Sequence, residues 1–237
     1  YINPTNTQIV LVATRQGIYR TTNGGANWTA VQAGGFHTLA ADPQNPNKIF
    51  AGTISGGGKI YLSTDGGVTW SQITSGLPSS GTRRVEIVVS PQDSNYVYAL
   101  YGSNNNGFYG LYRSTNGGTT WTLRSNTPNL LDWSTNGSGT GGQAWYDLAL
   151  AVNPTDKDQI FVGGVNIWRS NNGGASNSWT QVAHWYGGGG APTVHADIHY
   201  FRYQPGTDDL FVATDGGVYK TTNDGISWID YKSGMNI

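Results

Sequence analysis

The chain has no cysteine, one methionine and one glutamate (Glu86), and only 11% of its 237 residues are charged. Without cysteine there are no disulfides and no thiolate metal sites, and the compartment stays open. The charged fraction is well below the usual quarter of a globular chain. Net charge is -1 and no basic block occurs. A surface of that kind does not follow a phosphate backbone, so nucleic acid is not an expected partner. No apolar run is long enough to span a bilayer. The start, Tyr1-Ile2-Asn3-Pro4, lacks both an initiator Met and the charged-then-apolar pattern of a signal peptide. The sequence therefore reads as a trimmed product or a piece of a longer protein.

What the chain does have is glycine, 35 residues of it, and aromatics at 12%. Asn, Thr, Ser and Gln supply most of the polarity. That mixture suits short strands joined by tight turns and disfavours helices. Five related boxes run through the sequence: Thr21 to Trp28, Ser63 to Trp70, Ser114 to Trp121, Ser170 to Trp179 and Thr221 to Trp228. Four share one spacing, hydroxyl, any, Asp or Asn, any, Gly, two residues, Trp; the fourth copy carries two extra residues. The five tryptophans are separated by 42, 51, 58 and 49 residues, near the length of one four-stranded propeller blade.

Each unit follows one order. A short apolar strand leads into a Pro- or Asn-rich turn, then come two further strands, the box, and a fourth strand that begins at the Trp. In the second unit the strands are predicted at 38–41, 48–53, 59–63 and 70–73. The predicted fold is all-β, a propeller of four-stranded antiparallel blades with five blades in this chain. The blades run over residues 1–34, 35–78, 79–128, 143–183 and 194–232. Residues 233–237 begin a further or closing strand. The first unit lacks its first strand, so the chain is expected to be part of a larger propeller, completed by other chains or by missing parts of the same protein. Two long connections, 125–142 and 183–194, carry Trp133, Trp185 and Tyr186 as candidate ligand-binding aromatics.

Physically, the box is a hairpin fastening. Its glycines supply backbone conformations that a Cβ would disfavour. Its Asn or Asp (Asn23, Asp65, Asn116, Asn172, Asn223) accepts backbone N–H bonds. Its Trp (Trp28, Trp70, Trp121, Trp179, Trp228) is an apolar wedge. All these roles are structural, and a catalytic residue is rarely needed five times. The pattern resembles the Asp-box, or bacterial neuraminidase repeat, and the resemblance covers nearly the whole chain. The segments from Gly163 to Ser170, Val194 to His199 and Thr214 to Lys220 look like those of secreted bacterial sortilin- and xyloglucanase-like repeat proteins, described as glycosyl hydrolase-like. The resemblance implies a secreted or cell-surface protein, with any chemistry on the central channel and away from the boxes.

Two constellations stand out. In an extended strand, period-two alternation sends His195, Asp197 and His199 to one face, where they can ligate a divalent metal, contact a ligand or move protons. Asp215, in Thr214-Asp215-Gly216-Gly217, resembles the segment around a catalytic Asp of xyloglucanase-type enzymes, with one residue fewer before the glycines and Lys220 in place of Arg. A glycosidase needs a second carboxyl roughly 5–10 Å away, and Asp197, Asp147 and Asp132 are the candidates. A turn Asp bonded to backbone amides is the simpler account of Asp215. A sialidase is not expected: Arg20, Arg113 and Arg169 recur at one repeat position, as edge fastenings would, and Glu86 is the only glutamate. The expected function is a glycan- or protein-binding surface module that requires no cofactor. A xyloglucanase-like glycoside hydrolase is the alternative, and a structural or assembly component of the cell surface is a third reading.

Overall fold

Among the described residues, short runs of alternating apolar residues, broken by Gly and Asn turns, form nineteen strands. The structure, a computed structural model, describes residues 1–54 and 56–232. The expected closing strand at 233–237 lies outside the described residues. The first sheet has three strands, β1 (Val10–Ala13), β2 (Gly17–Thr21) and β3 (Thr29–Ala33). The second comprises β4 (Phe36–Asp42), β5 (Asn45–Thr53), β6 (Ile60–Ser63) and β7 (Ser71–Ile73). The third comprises β8 (Thr82–Val89), β9 (Val97–Ser103), β10 (Phe108–Ser114) and β11 (Thr122–Ser125). The fourth comprises β12 (Ala149–Val152), β13 (Ile160–Gly163), β14 (Ile167–Ser170) and β15 (Trp179–Ala183). The fifth comprises β16 (Ile198–Tyr203), β17 (Leu210–Thr214), β18 (Gly217–Thr221) and β19 (Ile229–Asp230).

Every pairing within a sheet is antiparallel, and strands pair in chain order. This is the all-β, four-stranded-blade architecture read from the repeats. The first unit lacks an inner strand, and Tyr1 and Ile2 stand where one would end. Tyr1 exchanges backbone bonds with Leu11, and Ile2 bridges to Val10.

The first strands of sheets two to five pack side by side, β4 on β8, β8 on β12 and β12 on β16, and line one channel. The first sheet packs on the second through β1 and β4, while no comparable packing joins the fifth sheet to the first among the described residues. The core is correspondingly divided into layers between neighbouring sheets. Leu11, Ile18, Ile49 and Ala51 fill the first joint, and Phe50, Ile60, Val85 and Tyr101 the second. Leu111, Leu130, Ile160 and Val162 fill the third, and Phe161, Val182, Ile198 and Val212 the fourth.

Because the strands alternate in direction, the connections fall at two ends. The boxes and the turns after the inner strands lie at one, here the box end. The turns between second and third strands, and the long links between sheets, lie at the other, the loop end.

In the boxes, local hydrogen bonds close the turn. The hydroxyl oxygen accepts from the Gly N–H at 2.8 to 3.1 Å in all five copies. In four, the Asn or Asp Oδ1 accepts the N–H four residues on. The two extra residues in the remaining copy bring Ser178 Oγ to 2.7 Å from Ser170 Oγ. The box Trp then packs into the joint with the preceding sheet, as Trp70, Trp121, Trp179 and Trp228 do. Among the described residues no sheet precedes Trp28, which is 43% exposed. The box glycine presses on the same joint: a Cβ on Gly67, whose φ is +81°, would sit 2.1 Å from Leu11 Cδ2.

Arginines secure the joints from the other side. Arg20 Nε donates to Gly66 O, Arg124 Nε to Gly173 O and Arg169 Nη1 to Asp224 O, each in the next sheet's box. Arg113 pairs with Asp158 of the following sheet at 3.1 Å. Lys220, with no following sheet described, pairs with Asp209 of its own. The recurring basic position thus has the edge role that its recurrence predicts.

Candidate functional site

The loop end is built by irregular segments that bury their own apolar residues. In the link from β11 to β12, Leu130 and Leu131 are fully buried. Asn129 accepts from Phe108 N and donates to Gly139 O and Gly141 O. Asp132 is buried and accepts from Trp133 N and Gly139 N, both at 2.8 Å. It is therefore committed to its own loop, which removes it as the second carboxyl of a glycosidase pair. In the link from β15 to β16, buried His184 accepts at Nδ1 from Gly188 N and faces Trp133 O with Nε2. Its neutral Nε2–H tautomer satisfies both contacts. These residues do the covering, so Trp133 (53% exposed), Trp185 (45%) and Tyr186 (60%) are left facing solvent.

The expected alternation of His195, Asp197 and His199 is not realised. β16 begins only at Ile198, and Asp197 has a φ of +65°, which turns the chain out of the extended conformation just before it. Among the described residues, no three His, Cys, Asp or Glu side chains converge closely enough to hold a metal ion. The three take separate places. The His195 ring lies over Gly216, where a Cβ would come within 2.2 Å of its Cγ. Asp197 Oδ1 accepts from Gln143 Nε2 at 3.1 Å. His199 Nε2 lies 2.6 Å from Asp215 Oδ1.

Asp215 is the hub of the exposed part. Tyr146 OH donates to its Oδ2 at 2.9 Å, and the Tyr146 ring meets His199 edge-on at 4.9 Å. The His199 hydrogen bond, followed by that of Tyr146, holds the Asp215 carboxyl below its ordinary range, so it is ionised at neutral pH. The simple turn role does not describe this residue, whose partners come from two other segments. Trp145 stacks obliquely on Tyr146 at 5.3 Å and is 53% exposed.

Beneath the rim the environment reverses. Asp147 is 1% exposed, and neither carboxylate oxygen has a hydrogen-bond partner. Burial, and then the neighbouring Asp197 charge, push it up to about 8. Across the channel, Arg84 donates to Tyr146 O at 3.1 Å and to His37 Nε2. Burial and Arg84 push His37 down to about 4, leaving the neutral imidazole that can accept that bond. Burial pushes Glu86 up to about 7, despite the 2.7 Å bond from Thr38 Oγ1. His37, Thr38, Glu86, Leu150, His199 and Phe201 line a cavity of about 340 Å³.

Four residues of this region have no role in the sequence reading: His37, Arg84, Trp145 and Tyr146. Trp145 and Tyr146 lie in the link before β12, which starts only at Ala149. For Arg84 the signal is the Arg83-Arg84 pair on an otherwise apolar strand. A register shift between Thr82 and Val85 turns Arg83 outward while Arg84 is 3% exposed.

Comparison with known proteins agrees with the repeats. The family model Sortilin-Vps10, described as "Sortilin, neurotensin receptor 3", matches residues 16–162. Xyloglucanase Xgh74A of Acetivibrio thermocellus is 25% identical over 218 residues, which cover 78% of this chain and 25% of that protein. A xyloglucanase of Paenibacillus sp is 30% identical over 230 residues, covering 87% of this chain and 20% of its own length. The chain thus spans a quarter or less of the curated relatives it matches here. The crystal structure of the Niastella koreensis GH74 enzyme superposes with a TM-score of 0.65 at 23% identity, over 96% of this chain and 36% of that one. At that identity the likeness concerns the fold. The family match extends over more than half of the sequence, and the protein belongs to the Sortilin-Vps10 family, with the β-propeller architecture of the GH74 enzymes.

Proposed function

We propose that the chain is a carbohydrate-binding propeller module, acting at the cell surface or outside the cell, that holds a polysaccharide across its loop end. The observation carrying this reading is the set of exposed aromatics there: Trp133, Trp145, Tyr146, Trp185 and Tyr186. Large flat apolar faces beside hydrogen-bonding groups suit sugar rings, which present C–H faces and hydroxyl edges. Asp215, His199 and Asp197 supply the hydroxyl partners next to Tyr146. Xyloglucan is the first probe because two relatives are named xyloglucanases.

Hydrolysis is the second reading, and the ionised Asp215 favours it. A glycosidase also needs a carboxylic acid that reaches the glycosidic oxygen. Asp147 carries a proton near neutral pH, but at 1% exposure it has no open path to a substrate. Binding is therefore the stronger reading.

Affinity electrophoresis and calorimetry with xyloglucan and other soluble polysaccharides test it. The wild type should bind at least one, and Trp145→Ala should weaken that binding roughly tenfold without loss of fold. Failure to bind any polysaccharide sinks the proposal. Release of reducing ends by the wild type, abolished in Asp215→Ala, replaces it with the hydrolase.

A further inference from the structure

Arg15, Ile54, Arg83 and Trp145 line one cavity of about 280 Å³ at the loop end. They come from four different units: the β1–β2 turn, the residue after β5, the start of β8, and the link into β12. Among the described residues, no acidic one lines it. Five of the six other arginines have structural work. Arg20, Arg113, Arg124 and Arg169 secure the joints, and Arg84 is buried against Tyr146 O and His37. Arg15 and Arg83 are exposed, and among the described residues no carboxylate forms an ion pair with either. Asn106 Oδ1 accepts from Arg83 Nη1 at 3.1 Å and steadies it. Its neighbour Arg84 anchors the backbone of Tyr146, next to Trp145. One bulge therefore presents a guanidinium to the cavity and fixes the segment carrying the cavity's aromatic wall.

Two unpaired guanidiniums beside an indole in a nearly neutral protein form a receptor for an anionic ring. Guanidinium binds a carboxylate through charge-assisted, geometrically matched hydrogen bonds, and the indole covers the apolar face of a sugar. We propose that this cavity takes a uronic acid unit of an acidic polysaccharide, with Trp145 against the ring and Arg15 and Arg83 on its carboxylate. The proposal rests on the carbohydrate-binding reading and names the saccharide class.

The test compares a polyuronate, a neutral polysaccharide of similar length and dextran sulfate, by calorimetry on the whole chain. At low salt the polyuronate should bind about tenfold more tightly than the neutral polymer, and about 0.5 M salt should erase the difference. Arg15→Gln with Arg83→Gln should remove the preference, leaving neutral binding and the melting temperature unchanged, since both side chains are exposed. Equal affinity for neutral polymer and polyuronate overturns the inference but leaves the carbohydrate reading standing. So does a preference that survives in the double variant. Dextran sulfate binding as tightly as polyuronate, and doing so undiminished in Trp145→Ala, overturns it as bare charge attraction. If no polymer binds, both readings fall.

Discussion

The two ends of the propeller are made by the same strands under opposite rules. At the box end, one short pattern recurs, its hydroxyl and glycine N–H bond inside the turn in every copy, and four of its five tryptophans sit in the joints. At the loop end no two connections are alike. There the aromatics face solvent and Asp147 is buried without a hydrogen-bond partner for its carboxylate oxygens. Such features are retained where something other than stability is being selected. Regularity marks the scaffold, and irregularity marks the place where ligands would meet it.

The sharpest way to break this contrast is through the tryptophans. Trp121 is 3% exposed and its Nε1 donates to Gly118 O at 3.0 Å. Trp121→Ala should cost about 3–5 kcal/mol, seen as a large drop in melting temperature. Trp28→Ala, in the same box but with no preceding sheet, should cost less than about 1 kcal/mol. Equal losses would mean that the box itself, and not the joint, holds the fold. Gly67→Ala comes next. It combines a strained φ with a collision at Leu11, and should cost roughly 1–3 kcal/mol in denaturant titration.

The third test is pH. The Asp147 carboxyl is raised from 3.8 to about 8, so the folded chain keeps a proton that the unfolded chain has released. Its stabilising contribution is complete below 3.8 and is lost as pH rises through about 8. Glu86, raised to about 7, acts in the same direction, while His37, lowered to about 4, acts oppositely. The difference between wild type and Asp147→Asn isolates the group. Asp147→Asn should gain on the wild type in melting temperature as pH rises across that window. A constant difference would show that Asp147 does not hold its proton. The smallest stability effect belongs to Asp215→Asn, within about 0.5 kcal/mol because the side chain is exposed, although polysaccharide binding should weaken. A large loss of stability there would make Asp215 a scaffold residue and blur the contrast.

The box end was legible in the sequence because its interactions are local. Ser63, Asp65, Gly67 and Thr69 bond among themselves within seven residues of chain, so spacing alone reveals them. Asp215 could be singled out by its motif, but its partners could not, since Tyr146 lies 69 residues away. Asp132 and Asp147 looked interchangeable as sequence, yet one is met by backbone amides and the other by nothing. The metal reading of His195, Asp197 and His199 assumed an extended backbone, and one left-handed residue undoes that alternation. Trp145 carries no local signal, since the other walls of its cavity, Arg15, Ile54 and Arg83, come from distant parts of the chain.

The joints also have a direction. The last four boxes reach back to the sheet before them, and Arg20, Arg113, Arg124 and Arg169 reach forward to the sheet after. Every sheet is thus coupled to its nearest neighbours and to little else, as in a linear array of repeats. Amide exchange should then be graded along the chain. Protection should be greatest in the third and fourth sheets, each flanked by complete joints on both sides, and least in β1–β3, where Trp28 closes on nothing. A protein assembled in this way can lose or gain a terminal sheet without disturbing the middle, so that the loop end of the central sheets can keep its geometry while the length of the propeller around it changes.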